Sequence, residues 1–211
     1  ELLAHHYDHG TLAEVLHLHG QVQGLHPMHR LPLASLAFPA LRRQPRQLLQ
    51  DFAANLDRLI AADGQVNLQE YCLAKLVGIQ VIDALDPAAT LVIGRLKLGQ
   101  VKVELCALFS IVAAYGHDDA QGARRAFLQG MNELGVQETM DCAPPLDWAL
   151  ALDRALPRLN QLAPAGKELV VRGLTQAISA DGLLNVAEAE LLRTVCAALH
   201  CPLPPILQRS P

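Results

Sequence analysis

The sequence predicts an all-α fold, a helical bundle with two pseudo-repeated helix–turn–helix units. Hydrophobic residues make up 51% of the 211-residue chain and aromatic residues only 4%, and the aliphatic part is dominated by Leu and Ala. Leu and Ala favour helices, whereas strands favour the β-branched and aromatic side chains that are sparse here. Apolar residues also recur at spacings of three and four, which is typical of helices with one buried face.

One turn occurs twice, 118 residues apart, between apolar helical runs. Each copy holds an Asp-Gly pair, an Asn three residues after the Gly, and a Glu three residues after the Asn. The first copy comprises Asp63, Gly64, Asn67 and Glu70, and the second comprises Asp181, Gly182, Asn185 and Glu188. A Gly can take the positive φ that ends a helix, and Asn with a Glu three residues later forms a capping box. We therefore predict that both copies are structural turns and caps.

Helices are predicted along most of the chain. They cover about residues 11–23, 45–62, 67–82, 101–115, 119–134, 146–162, 165–180 and 186–200. Residues 31–41 are almost wholly apolar, and Pro39 is expected to kink or divide a helix there. One or two short helices are therefore expected on the outside of the core in this segment. Residues 83–100 are predicted to form turns with a short helix or an extended link.

Charge and cysteine content exclude several classes of protein. The net charge is −4, and no basic patch with interleaved aromatic residues is present, which argues against nucleic-acid binding. The longest apolar run, residues 103–115, is too short to span a bilayer and is expected to form a buried helix. Five cysteines without a CxxC spacing favour a reducing compartment. The chain begins with Glu1, so we expect it to be a piece of a longer protein.

The acidic turns and the first histidines are the candidate metal ligands. Asp63, Gly64, Val66 and Glu70 match positions five, six, eight and twelve of an EF-hand loop. Positions one and three hold Leu59 and Ala61 in the first copy, and Ala177 and Ser179 in the second. Calcium needs six to eight oxygen ligands, so an EF-hand is not expected. A composite site remains as a hypothesis, in which Asp63, Glu70, Asp181 and Glu188 meet. His5 and His9 form a second candidate pair, because an i, i+4 spacing places both on one helix face.

No pattern in the chain indicates an enzyme. His5 and His9 lack the Glu of an HExxH zinc peptidase motif, and GxSxG and GxxxxGK[ST] are absent. His117-Asp118-Asp119 is a possible ligand trio that is equally typical of a helix N-terminus. We assign no catalytic residue and no cofactor to this chain.

Two segments carry a resemblance to known proteins. The repeated turns in LIAADGQVNLQEYCLAKLV and AISADGLLNVAEAELLRTVCAALHCPLPPIL resemble TerB-like all-helical domains. The chain from Leu31, with RLPLASLAFPALRRQP and CAALHCPLPPIL, is similar to the soluble C-terminal region of bacterial membrane-embedded zinc metallopeptidases of the HtpX-like class. Only the Asp-Gly turns match position by position, and no peptidase motif is carried over.

The resemblance implies a domain division and a role. Residues 1–30 would be a His-rich connector from an upstream membrane peptidase part, and residues 31–211 a TerB-like domain. The implied function is a non-catalytic interaction or regulatory domain at the inner face of the bacterial inner membrane, with zinc only in the parent peptidase. Residues 31–41 or 99–115 are expected to dock the parent peptidase domain or another protein. The alternative function is divalent-metal binding by the Asp-Gly turns or the N-terminal histidines.

Overall fold

The chain is helical along most of its described length. The computed structural model describes residues 8–60, 62, 64–88, 94–135 and 143–205. The helices in these ranges are α1 His9–Gln23, α2 Pro27–Leu41, α3 Arg46–Ile60, α4 Leu68–Leu85, α5 Lys102–Gly116, α6 Ala120–Glu133, α7 Trp148–Leu159, α8 Pro164–Ile178 and α9 Val186–Ala198. A short 3-10 turn, Leu98–Gln100, precedes α5. The described ranges contain no strand, only an isolated bridge between Leu96 and Leu162. The all-α prediction is therefore confirmed.

Helix α5 forms the centre of the bundle. It contacts α6, α7, α8 and α9, and the six consecutive residues 108–113 are all buried. Along this buried run the helix is covered on every side, so the sequence of the run is apolar all round rather than amphipathic. The expectation of a buried helix at 103–115 is confirmed for its central residues 108–113, which are not available to a partner, and the expectation that the rest of 99–115 docks a partner stays a prediction.

Helices α6 and α8 cross where each has a glycine. A Cβ atom at Gly130 would overlap the Phe109 ring, and one at Gly173 would overlap Leu134. Each of those Cβ atoms would also press on the carbonyl oxygen of the opposite glycine. The two backbones therefore approach to a distance that only glycine allows, and Phe109 of α5 fills the space beside them.

Helices α2 and α3 form an outer layer on α4. Phe38, Leu49, Val77 and Val81 form a separate apolar cluster between these three helices. The expectation that residues 31–41 lie on the outside of the core is confirmed. The expectation that Pro39 divides the helix is wrong, because α2 continues through Pro32 and Pro39. Pro39 lies on the exposed side of α2, where water can bind the carbonyl group that the missing N–H leaves without a partner.

The predicted helix boundaries agree with the structure to within a few residues. Helix α1 begins two residues early because the Asp8 carboxylate accepts a hydrogen bond from the Thr11 amide and caps it.

The proposed division between residues 30 and 31 falls inside α2, and Leu31 belongs to the main core. No described helix is long and apolar enough to cross a membrane.

Candidate functional site

The two Asp-Gly turns have the same local geometry. Gly64 and Gly182 have φ values of 75° and 77°, as expected for glycines that end a helix. Asn67 Oδ1 accepts from the Glu70 amide at 3.0 Å, and Glu70 Oε2 accepts from the Asn67 amide at 3.1 Å. The second turn repeats both bonds at 2.9 and 3.1 Å. Both predicted capping boxes are confirmed. Asp63 lies outside the described residues.

The surroundings of the two turns differ. Asn67 is exposed and Glu70 half-buried, whereas the Glu188 side chain packs inside the bundle and is 1% exposed. Asn185 Nδ2 donates a hydrogen bond of 2.9 Å to the Gly116 carbonyl, which ties the second turn to the end of α5. A Cβ atom at Gly116 would overlap the Glu188 carboxylate. The second turn is therefore locked against α5.

The carboxyl group of Glu188 is buried with one oxygen unsatisfied. Its Oε2 accepts the capping hydrogen bond, but Oε1 has no hydrogen-bond partner in the described structure. Burial raises the pKa of Glu188 to about 7, the Asn185 amide bond lowers it, and Asp181 raises it further. Burial leaves the charged form poorly solvated, so protonation is favoured near neutral pH.

A histidine at the junction of α5 and α6 lies near the Asp181 carboxylate of the second turn. The His117 side chain is 6% exposed, its Nδ1 is 3.3 Å from the Ala113 carbonyl oxygen, and its Nε2 is 3.9 Å from Asp181 Oδ2. Asp181 Oδ1 accepts a hydrogen bond of 2.9 Å from the Leu183 amide, which fixes the turn. His117 Nε2 also lacks a hydrogen-bond partner in the described ranges. The sequence analysis named His117 in the 117–119 segment but did not place it near Asp181, because the two residues lie 64 positions apart in the chain.

The other candidate ligands have structural roles or lie elsewhere. Asp119 caps α6 by accepting from the amides of Gln121 and Gly122, which lowers its pKa, so the helix-terminus interpretation of the 117–119 segment is confirmed for this residue. His9 is exposed in the first turn of α1, and His5 lies outside the described residues. Within the described ranges, no group of three or more His, Cys, Asp or Glu side chains could hold a metal ion. The metal hypothesis for Asp63, Glu70, Asp181 and Glu188 remains a prediction.

A second buried carboxyl group lies between α9 and α2. Glu190 is 5% exposed, and burial raises its pKa although Arg30 and Arg193 act in the opposite direction. The neighbouring thiol of Cys72 is fully buried, and burial raises its pKa to about 12. Sequence reasoning missed Glu190, because a Glu two residues after a capping Glu reads as an exposed helix residue.

Substitution of the two capping asparagines, Asn67 and Asn185, tests the difference between the turns directly. Asn67→Ala should cost about 1 kcal/mol of stability, the usual loss for a helix cap. Asn185→Ala should cost about 2–3 kcal/mol, because it also leaves the buried Gly116 carbonyl without its donor. Urea unfolding followed by circular dichroism measures both changes. Equal losses would show that the bond to α5 adds nothing.

The clearest unpartnered surface lies on α2. Leu33, Leu36, Ala37 and Ala40, at spacings of i, i+3, i+4 and i+7, form one stripe of the helix and are all exposed. We call this stripe the α2 face. Leu36 is 78% exposed, although α2 already buries Leu31 and Phe38 on its other side. Segment 31–41 thus has an exposed apolar surface. Its docking to a partner stays a prediction.

Comparison with known proteins gives no family assignment. Neither the family models, nor the curated proteins, nor the solved structures contain a match to this chain. The class of protein that the structure defines is therefore an all-helical bundle, and the role of the bundle must be argued from its own residues.

Proposed function

We propose that this chain is a non-catalytic interaction domain that attaches to its partner assembly through the α2 face. The main support for this proposal is the α2 face, which is apolar and exposed. Leu33, Leu36, Ala37 and Ala40, which form it, are not part of the buried core. An exposed apolar stripe of this kind is typical of a surface that binds another protein or a membrane. Helix α5, by contrast, buries most of its apolar residues inside the bundle and exposes Val103 and Tyr115 near its two ends.

The resemblance to TerB-like and HtpX-like proteins supplies the proposed assembly. It implies a domain at the inner face of the bacterial inner membrane, as the C-terminal regulatory part of a membrane zinc metallopeptidase. The peptidase domain is then the protein partner, and zinc belongs to it rather than to the helical domain.

The chemistry of the described side chains supports a role without catalysis. Burial raises the pKa of both the Cys72 and the Cys196 thiol to about 12, so both are protonated at neutral pH. A thiol needs a lowered pKa to act as a nucleophile, and these two have the opposite shift. Glu188 and His117 are enclosed in the bundle, where a substrate would have to displace α9 or α5 to reach them.

A pull-down with the peptidase tests this proposal. Leu36→Glu should weaken capture of a membrane zinc metallopeptidase at least about tenfold, because it places a charge in the apolar contact. Val103→Glu is the matched control, since Val103 is 75% exposed on α5 and away from the α2 face. Both variants should keep the thermal unfolding midpoint of the native protein. Equal capture of the native protein and the Leu36→Glu variant would refute the proposal.

A further inference from the structure

The acidic residues of this chain are unevenly distributed. From Val15 to Gln50 there is no Asp or Glu, while four arginines, Arg30, Arg42, Arg43 and Arg46, give this segment a charge of +4. The whole chain has 17 basic and 21 acidic residues, so the remainder holds 13 basic and 21 acidic residues and carries −8. The protein is therefore strongly polarised in charge, although its net charge is small.

The acid-free segment coincides with the most apolar exposed part of the molecule. It covers most of α1, all of α2 and the start of α3. Helix α1 has no buried residue, and its Val15, Leu16 and Leu18 are 40%, 62% and 47% exposed. The α2 face adds Leu33 and Leu36, and the exposed Arg42 and Arg43 follow at the C-terminal end of α2. We call these seven side chains together the α1–α2 surface.

A hydrogen-bonded turn connects the two helices of this surface. Arg30 Nη2 lies 3.3 Å from the Gln23 carbonyl oxygen and 3.5 Å from that of Leu25. It thus binds the carbonyl groups at the end of α1, where a positive charge is favourable. These bonds tie the first turn of α2 to the C-terminal end of α1, while α1 itself stays exposed.

We propose that the α1–α2 surface binds the headgroup region of an anionic lipid bilayer. This inference rests on the proposed function and deepens it, because the bilayer that holds the peptidase is part of the assembly that the α2 face contacts. Exposed aliphatic side chains next to arginines are the combination that binds a membrane interface. Each basic residue near an anionic surface strengthens binding about fivefold, and the nearest carboxylates in the chain, Glu14 and Asp51, flank the segment at its two ends. The remainder of the chain, at −8, is repelled and faces away.

A protein partner is the less favoured occupant. Protein interfaces are enriched in Tyr, Trp and Phe at their centres, and the α1–α2 surface has none of these. Its apolar atoms are all aliphatic, like the acyl chains at the edge of a bilayer. A run of 36 successive positions without an acidic residue suits a surface of lipid phosphates, which attract basic side chains and repel acidic ones.

Sedimentation with lipid vesicles tests this inference. The purified protein is mixed with phosphatidylcholine vesicles that contain phosphatidylglycerol, and separately with pure phosphatidylcholine vesicles, at low and high NaCl. Native protein should bind only the anionic vesicles, and high salt should weaken the binding because it screens the arginines. Arg42→Glu/Arg43→Glu should weaken it at least about 25-fold, and Leu36→Glu at least about tenfold.

The controls use exposed residues elsewhere in the described structure. Arg124→Glu/Arg154→Glu makes the same charge change on α6 and α7, and Val103→Glu makes the same apolar-to-acidic change on α5. Both should bind vesicles as the native protein does, and all variants should unfold at the native temperature. If the controls lose binding equally, the effect is one of total charge and the inference is wrong.

Other outcomes separate the inference from the proposed function. Failure to bind anionic vesicles, with peptidase capture that still depends on Leu36, would overturn the lipid contact and leave the function standing. If the native protein binds neither vesicles nor peptidase, both proposals fail. Equal binding to both kinds of vesicle would also overturn the lipid contact. So would a Leu36→Glu variant that changes self-association of the protein but leaves vesicle binding unchanged.

Discussion

Gly173→Ala is expected to lower the free energy of unfolding by about 3 kcal/mol. The new methyl group would overlap Leu134 Cδ1 and press on the Phe109 ring and the Gly130 carbonyl oxygen. Because the carbonyl oxygen belongs to the backbone of α6, rotation of a side chain cannot relieve all of these contacts. Helices α6 and α8 would have to separate, and their separation would open the packing around Phe109.

Gly78→Ala provides the matched control for this substitution. Gly78 lies in the interior of α4, and a Cβ atom built there meets nothing within 4 Å. Alanine is a better helix former than glycine, so this variant should gain up to about 1 kcal/mol. Urea unfolding of the two variants beside the native protein gives both values. If Gly173→Ala were as stable as Gly78→Ala, the close approach of α6 and α8 would be contradicted.

Glu188→Gln is expected to stabilise the protein at pH 8 by up to about 3 kcal/mol and to have little effect at pH 5. The pKa of Glu188 is raised from 4.5 to about 7 in the folded state, chiefly by burial. The folded state therefore binds a proton more tightly than the unfolded state does. This contribution to stability is complete below about pH 4.5 and is lost as the pH rises through about 7.

Glutamine keeps the cap and removes the charge. Its side-chain oxygen can accept the hydrogen bond from the Asn185 amide, as Glu188 Oε2 does. Glu70→Gln is the matched control, because Glu70 makes the same capping bonds but is only half-buried. Its carboxylate keeps part of its hydration, so its substitution should change stability little at either pH. A stability difference between Glu188→Gln and native protein that did not vary with pH would show that Glu188 is not the titrating group.

The local part of the structure could be predicted from sequence. Helix positions follow from the spacing of apolar residues, and both capping boxes follow from an Asn and a Glu three residues apart. These signals work because every group involved lies within one helical turn of its partner.

The differences between the two turns could not be predicted in the same way. Glu70 and Glu188 occupy the same position in the same motif, but the Glu188 carboxylate is buried and packs against Gly116, which lies 72 residues earlier in the chain. Gly130 and Gly173 likewise read as isolated weak helix formers, because their contact joins two separate helices. Burial is set by contacts distant in sequence, and a single sequence does not specify them.

Photo-crosslinking from position 36 tests the role of the α2 face most directly. A benzophenone side chain is placed at residue 36 of α2, and in a second protein at residue 103 of α5, which is also exposed. Each protein is irradiated with anionic proteoliposomes that contain a membrane zinc metallopeptidase. Our account predicts adducts from position 36, mainly with lipid, and none from position 103. Absence of adducts at position 36, or equal yields from both positions, would contradict attachment through the α2 face.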